Sequence, residues 1–191
     1  MKSDFEEILK EHKQAFDHSF TSEQIGVLEK ITREILKTLK AGHKLMICGN
    51  GGSAADSQHI AAEFIGRFNL ERRALPAIAL TTDTSALTAL ANDYSFDCIF
   101  SRQIEGLGLK GDLLIAISTS GNSKNILAAA AKARGMGIAV VAFTGADGGN
   151  LKAEADLCFA AHSKKTPHIQ EMHITALHAI SEVAEKILFG A

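Results

Sequence analysis

Apolar residues recur every three or four positions through the first forty residues: Phe5, Ile8, Leu9 and Phe16, then Ile25, Leu28, Ile31, Ile35 and Leu39. That spacing predicts two amphipathic helices, with Thr21-Ser22-Glu23 as the punctuation between them. The second helix should stop near Gly42, and from Lys44 the pattern changes to short apolar runs followed by glycine or hydroxyl residues. Five runs read as strands, over 45–48, 77–80, 113–117, 138–143 and 157–160. Their nearly continuous apolarity fits strands covered on both faces, as in a parallel sheet. Helical stretches are predicted between most of them, over 53–68, 83–106 and 122–134, with a short one near Leu151. Pro167 at a first helical position opens a last helix, in which Ile169, Met172, Ala176, Ile180, Val183 and Ile187 should form the core-facing stripe. Alternation of this kind predicts an α/β fold: a doubly wound, five-stranded parallel sheet flanked by helices.

Length and charge narrow the function classes. A chain of 191 residues suits one domain over 1–191, with 1–41 as a helical element whose surplus of apolar surface predicts packing between subunits. Hydrophobic residues at 46%, charged residues at 22% and only two prolines describe an ordinary globular protein without long linkers. A formal net charge of -2 offers no general field for nucleic acid or an anionic membrane, so neither is expected as a partner, and any phosphate must be bound by a local site. Cys48, Cys98 and Cys158 are widely spaced and odd in number, which argues against a disulfide framework or a thiolate zinc site and predicts reduced core residues. The acidic start Lys2-Ser3-Asp4-Phe5-Glu6-Glu7 lacks a secretory pattern, and no apolar run reaches the roughly 18 residues of a membrane span. A cytoplasmic location is expected.

Two strand ends run into turns that open helices: Cys48-Gly49-Asn50-Gly51-Gly52-Ser53 and Ser118-Thr119-Ser120-Gly121-Asn122-Ser123. Ligands of open α/β sheets bind beyond the carboxyl ends of strands, and helix N-termini present unpaired N–H groups to anions. The second turn adds hydroxyl donors and has no P-loop lysine, which favours a phosphomonoester over a nucleoside triphosphate. The first turn is also compatible with plain turn geometry and capping, and its glycines lack the spacing of a dinucleotide fingerprint. His59 and Glu63 share one face of the following helix, as either a solvated pair or two members of a site. The last helix carries His168, Gln170, Glu171, His173 and His178.

In order along the chain, the strings Cys48 to Ser53, His59-Ile60-Ala61-Ala62-Glu63, Asn92-Asp93, Ser118 to Ser123 and Ile169-Gln170-Glu171-Met172-His173 through His178 resemble those of the bacterial phosphoheptose isomerases, enzymes of the sugar-isomerase (SIS) fold. The resemblance covers essentially the whole chain. It implies an aldose–ketose isomerase converting sedoheptulose 7-phosphate to D-glycero-D-manno-heptose 7-phosphate, in the cytoplasm, as a homotetramer. By the same resemblance His59, Glu63, Gln170 and His178 match zinc ligands, and Glu63 and His178 match the catalytic pair. Substrate contacts would come from Asn50, Gly51, Gly52, Glu63, Asn92, Asp93, Ser118, Thr119, Ser120, Ser123 and Gln170. The alternatives are a non-catalytic SIS protein that associates with a replication initiator, which should lack the full acid/base and metal set, and a sugar-phosphate sensor. Gln170 and His178 are eight residues apart, about 12 Å along a continuous helix, too far to share one ion unless the helix is irregular near Pro167 or the ligands come from different subunits.

Overall fold

The computed structural model describes residues 1–190. Two helices, α1 (Lys2–Ser19) and α2 (Ser22–Lys40), precede the alternating part of the chain, and the Thr21 hydroxyl accepts the Gln24 N–H to start the second. The strands β1 (Leu45–Cys48), β2 (Ala77–Ala79), β3 (Leu113–Ser118), β4 (Ala139–Thr144) and β5 (Leu157–Ala160) form one sheet, all parallel, in the order β2-β1-β3-β4-β5. From β1 the chain winds to one edge and from β3 to the other. The switch in direction therefore falls between β1 and β3, where a doubly wound sheet leaves its ligand crevice.

Alternate strand residues feed two cores. Leu45, Ile47, Ile115 and Ile117 face α2, α3 (Gly52–Ile65) and α8 (Thr166–Phe189), while Met46, Cys48, Leu114 and Ala116 face the helices of the opposite side. Those are α4 (Thr84–Asp93), α5 (Ile99–Leu107), α6 (Lys124–Gly135) and the short α7 (Leu151–Glu154). The central strands β1 and β3 bury both faces completely and the edge strands β2 and β5 less so, which is why the central sequences carry almost no polar alternation.

Four expectations need correction. The stretch 83–106 is two helices with a 3-10 turn, Phe96–Cys98, between them, because Ser95 turns extended and its hydroxyl accepts the Asp97 N–H. The helix after β1 ends at Ile65 rather than Phe68, since the N–H groups of Phe68, Asn69 and Leu70 bond instead to the Glu185 carboxylate on α8. Val183 and Ile187 are 45% and 53% exposed, and the buried face of α8 is completed by His173, Leu177 and Ala184. Both exposed residues line a 780 Å³ apolar groove with Phe16, Phe20, Ile25 and Leu28 from α1 and α2. Of the cysteines, only Cys48 is fully buried; Cys98 and Cys158 are half-buried, and all three are unpaired.

Glu185 carries a consequence for stability. Burial alone would raise its carboxyl pKa, but N–H bonds from Asn69, Phe68 and Leu70 and the Arg72 guanidinium outweigh it and bring the pKa down to about 2. A pKa depressed below its unfolded value stabilises the fold fully above pH ~4.5, and that contribution fades as pH falls towards 2. The expected loss is about 3 kcal/mol across that window. Urea unfolding followed between pH 6 and pH 2 checks it: Glu185→Gln should be less stable at neutral pH and lose much of the acid dependence. An unchanged acid slope would place the titrating group elsewhere.

Candidate active site

The turns after β1 and β3 meet across a cleft of 260 Å³ lined by Asn50, Gly51, Gly52, Ser118, Thr119, Ser123, Thr166 and Gln170, among others. Two helix N-termini open on it, with Gly51 as the N-cap of α3 and Ser123 as the N-cap of α6. Both present unpaired N–H groups and the positive end of a helix dipole. The hydroxyls are left able to donate. The Ser120 hydroxyl accepts the Asn122 N–H, and the Ser118 hydroxyl donates to the Ser123 oxygen, so the protons of Ser120 and Ser123 have no acceptor among the described residues. Ser123 makes no side-chain cap bond, so its oxygen is not spent on the helix.

Backbone geometry explains the glycines that matter most. Gly121 has φ +65°, and a Cβ there would stand 2.1 Å from the Gly148 carbonyl oxygen, so the turn is both left-handed and pressed against the turn after β4. At Gly52 a Cβ would lie 2.5 Å from the Gln170 amide nitrogen; the missing side chain is what lets Gln170 reach into the cleft.

Asn125 is a residue that sequence reasoning passed over. It is 2% exposed in the first turn of α6, and its amide exchanges two 2.9 Å hydrogen bonds with the amide of Asn50. This pair ties the two turns together. An asparagine just inside a helix start is the only signal the sequence offers, and it reads equally well as an ordinary first-turn residue.

A second cluster sits between α3 and α8. His59 Nε2 lies 3.0 Å from His178 Nε2 and 3.1 Å from Glu63 Oε1, and ligand atoms of all three residues fall within 4.8 Å of one another. A tetrahedral Zn2+ with Zn–N of about 2.0–2.1 Å holds its donor atoms about 3.3 Å apart, so two imidazole nitrogens and a carboxylate at these separations suit such an ion. Burial and the neighbouring His59 lower the pKa of His178, with the Glu63 carboxylate opposing them. One turn earlier on α3, a buried Asp56 oxygen has no hydrogen-bond partner, and desolvation raises the pKa of that carboxyl.

The remaining candidates lie apart from this trio. Gln170 faces the cleft, and α8 runs unbroken from Thr166 to Phe189, so irregularity near Pro167 does not bring it to His178. Asn92 and Asp93 close α4 on an exposed surface, where the Asn92 amide donates to Asp93 at 2.8 Å. His173 is structural: its Nε2–H donates to the Thr144 carbonyl at 2.9 Å, and burial lowers its pKa to about 4. His168 is buried edge-on to His12 of α1.

The SIS domain models match residues 10–145 and 107–184. The phosphoheptose isomerase of Akkermansia muciniphila is 54% identical over 165 residues, covering 86% of this chain and 87% of that protein. The chain belongs to the phosphoheptose isomerase family. The Helicobacter pylori (strain Shi470) member is 49% identical over 175 residues, with 92% of this chain and 91% of that protein aligned. Among solved structures, the phosphoheptose isomerase of Neisseria gonorrhoeae superposes with a TM-score of 0.92 at 39% identity, over 97% of this chain and 98% of that one. That of Francisella tularensis gives 0.93 at 32% identity, over 96% and 97%. Family membership thus covers both the helical start of the chain and the cleft, and no described helix is long and apolar enough to cross a membrane.

Proposed function

We propose that this protein is an aldose–ketose isomerase that converts sedoheptulose 7-phosphate to D-glycero-D-manno-heptose 7-phosphate, supplying heptose for lipopolysaccharide or another bacterial glycan. The observation that carries the reading is the meeting of Glu63, His59 and His178 on two helices of a chain whose relatives are phosphoheptose isomerases. Moving a carbonyl between C1 and C2 needs a base to take a proton next to the carbonyl and an acid to serve the oxygens of the enediol. Glu63, one-quarter exposed, is the base through the carboxylate oxygen not given to an ion, and His178 the acid through its Nδ1–H, since Nε2 faces the other ligand atoms. The phosphate docks on the Ser118 to Ser123 turn and the α6 N-terminus, where it holds the sugar in one register. His59, Glu63 and His178 would hold Zn2+, with Gln170 contributed by a neighbouring copy, and the ion would supply Lewis-acid polarisation of the sugar oxygens.

Incubating the purified protein with sedoheptulose 7-phosphate and following the aldoheptose 7-phosphate by NMR tests the assignment. No turnover by folded, zinc-supplemented protein would leave a non-catalytic phosphosugar-binding role in its place.

Replacing Ser120 or Ser123 with Ala should weaken sugar-phosphate binding by about 1.5–3 kcal/mol, the worth of a donor to a charged acceptor. Calorimetric titration reads this directly. Parental affinity in both variants would move the phosphate to the Gly49 to Ser53 turn.

Assembly as a homotetramer is part of the same proposal. Phe5, Ile8 and Leu9 of α1 are 62%, 53% and 64% exposed and lie on the same helix that lines the apolar groove, which is more apolar surface than a lone copy should leave in water. Light scattering at micromolar concentration should give four copies, and a fully active monomer would remove both the tetramer and a Gln170 shared between subunits. The unpaired cysteines suit a reducing compartment, the cytoplasm.

A further inference from the structure

We infer that Arg72 and Glu185 are positioning residues for the reaction, a buried latch that fixes the last turn of α3 and its spacing from α8, and with them the alignment of Glu63 and His178. The inference rests on the proposed isomerase reading for its kinetic arm only. Both side chains are 2% exposed, and Arg72 Nε donates to Glu185 Oε1 at 2.7 Å. The rest of the guanidinium caps α3. Its Nη2 donates to the Glu63 carbonyl at 2.8 Å, and its Nη1 donates to those of Phe64 at 2.9 Å and Gly66 at 3.2 Å.

Helix ends leave their last carbonyls unpaired and fray first. Glu63 lies in the last turn of α3, so its backbone would otherwise be among the least constrained of the site. Glu185 supplies the other half of the latch. It stands seven residues, two helical turns, beyond His178 on α8, so both point from nearly the same face towards α3 and the loop that follows it. Its carboxylate takes the N–H groups of Phe68, Asn69 and Leu70, and the Phe68 ring in turn lies 5.8 Å from the His178 ring. One ion pair thus holds the Glu63 main chain, the loop packed on His178, and α8 itself.

Arg72→Lys tests the idea, because it keeps a cation beside Glu185 but cannot bond three carbonyls and the carboxylate together. It should be compared with Ile138→Ala, a core change at the amino end of β4, away from the site, chosen to cost similar stability. At a temperature where urea titration shows all proteins fully folded, kcat for sedoheptulose 7-phosphate should fall at least about tenfold in Arg72→Lys, with KM within about twofold of the parent. Ile138→Ala should keep the parental kcat. Zinc affinity by chelator competition should weaken about 10- to 100-fold in Arg72→Lys alone, as for loss of a residue that orients ligands. Glu185→Gln is the second variant and should show the same pattern should Arg72→Lys not fold. Parental kcat and zinc affinity in a folded latch variant, or equal losses in Ile138→Ala, would overturn the inference. If the parent does not turn over the sugar, the isomerase reading fails, and the zinc arm still decides the latch.

Discussion

Glu63→Gln is expected to lower turnover of sedoheptulose 7-phosphate by about 10²-fold or more while leaving phosphosugar binding nearly intact. The amide keeps the shape of the side chain and one oxygen that can face a metal ion, but it cannot accept a carbon-bound proton. The turns proposed to take the phosphate follow β1 and β3, and Glu63 lies in the last turn of α3, so on the proposed reading affinity and proton transfer fall to different parts of the chain. His178→Gln should lower turnover similarly and also weaken zinc retention, because an imidazole is a better ligand than an amide. Exchange of substrate carbon-bound hydrogen with deuterated water, followed by NMR beside metal content, separates the two roles. A Glu63→Gln protein that kept its metal and exchanged at the parental rate would assign the proton to another group, such as the Asp56 carboxyl on the same helix, whose Oδ2 is buried without a partner.

Arg72→Met should cost about 3–5 kcal/mol of folding stability, the range for removing one partner of a buried ion pair. It leaves Glu185 charged and buried without its counter-ion, and it frees the carbonyls of Glu63 and Phe64 at once. Native domains hold only about 5–15 kcal/mol in reserve, so the variant should unfold at much lower urea concentration than the parent. Arg72→Lys should lose less, since an ammonium still neutralises the carboxylate. A loss under 1 kcal/mol for Arg72→Met would mean that Glu185 is solvated or protonated in the folded protein and that the three N–H bonds alone account for the loop.

The contrast between these two residues shows what the amino-acid sequence carries by itself. Strand and helix periods, the strand-to-glycine turns after Cys48 and Ser118, and the parallel character of the sheet are written in local pattern, because backbone bonding and face burial act over a few residues, whereas the order that sets β1 beside β3 is not. Motif resemblance then reached the His59, Glu63 and His178 positions and the family itself. Local pattern could not say that Val183 and Ile187 face a groove instead of the sheet, since a period marks an apolar side without naming what covers it. Nor could it break the stretch 83–106 at Ser95, where one hydroxyl bond competes with helix continuation. The pairing of Asn50 with Asn125, 75 residues apart, and of Arg72 with Glu185, 113 apart, depends on where α3, α6 and α8 come to rest on the sheet. So does the closure of His59 on His178 across 119 residues, and the placement of Gln170 in the cleft rather than with them. Such contacts form only once the two cores have packed, because no residue's own neighbours in the chain constrain a partner that distant; the tertiary structure alone decides them.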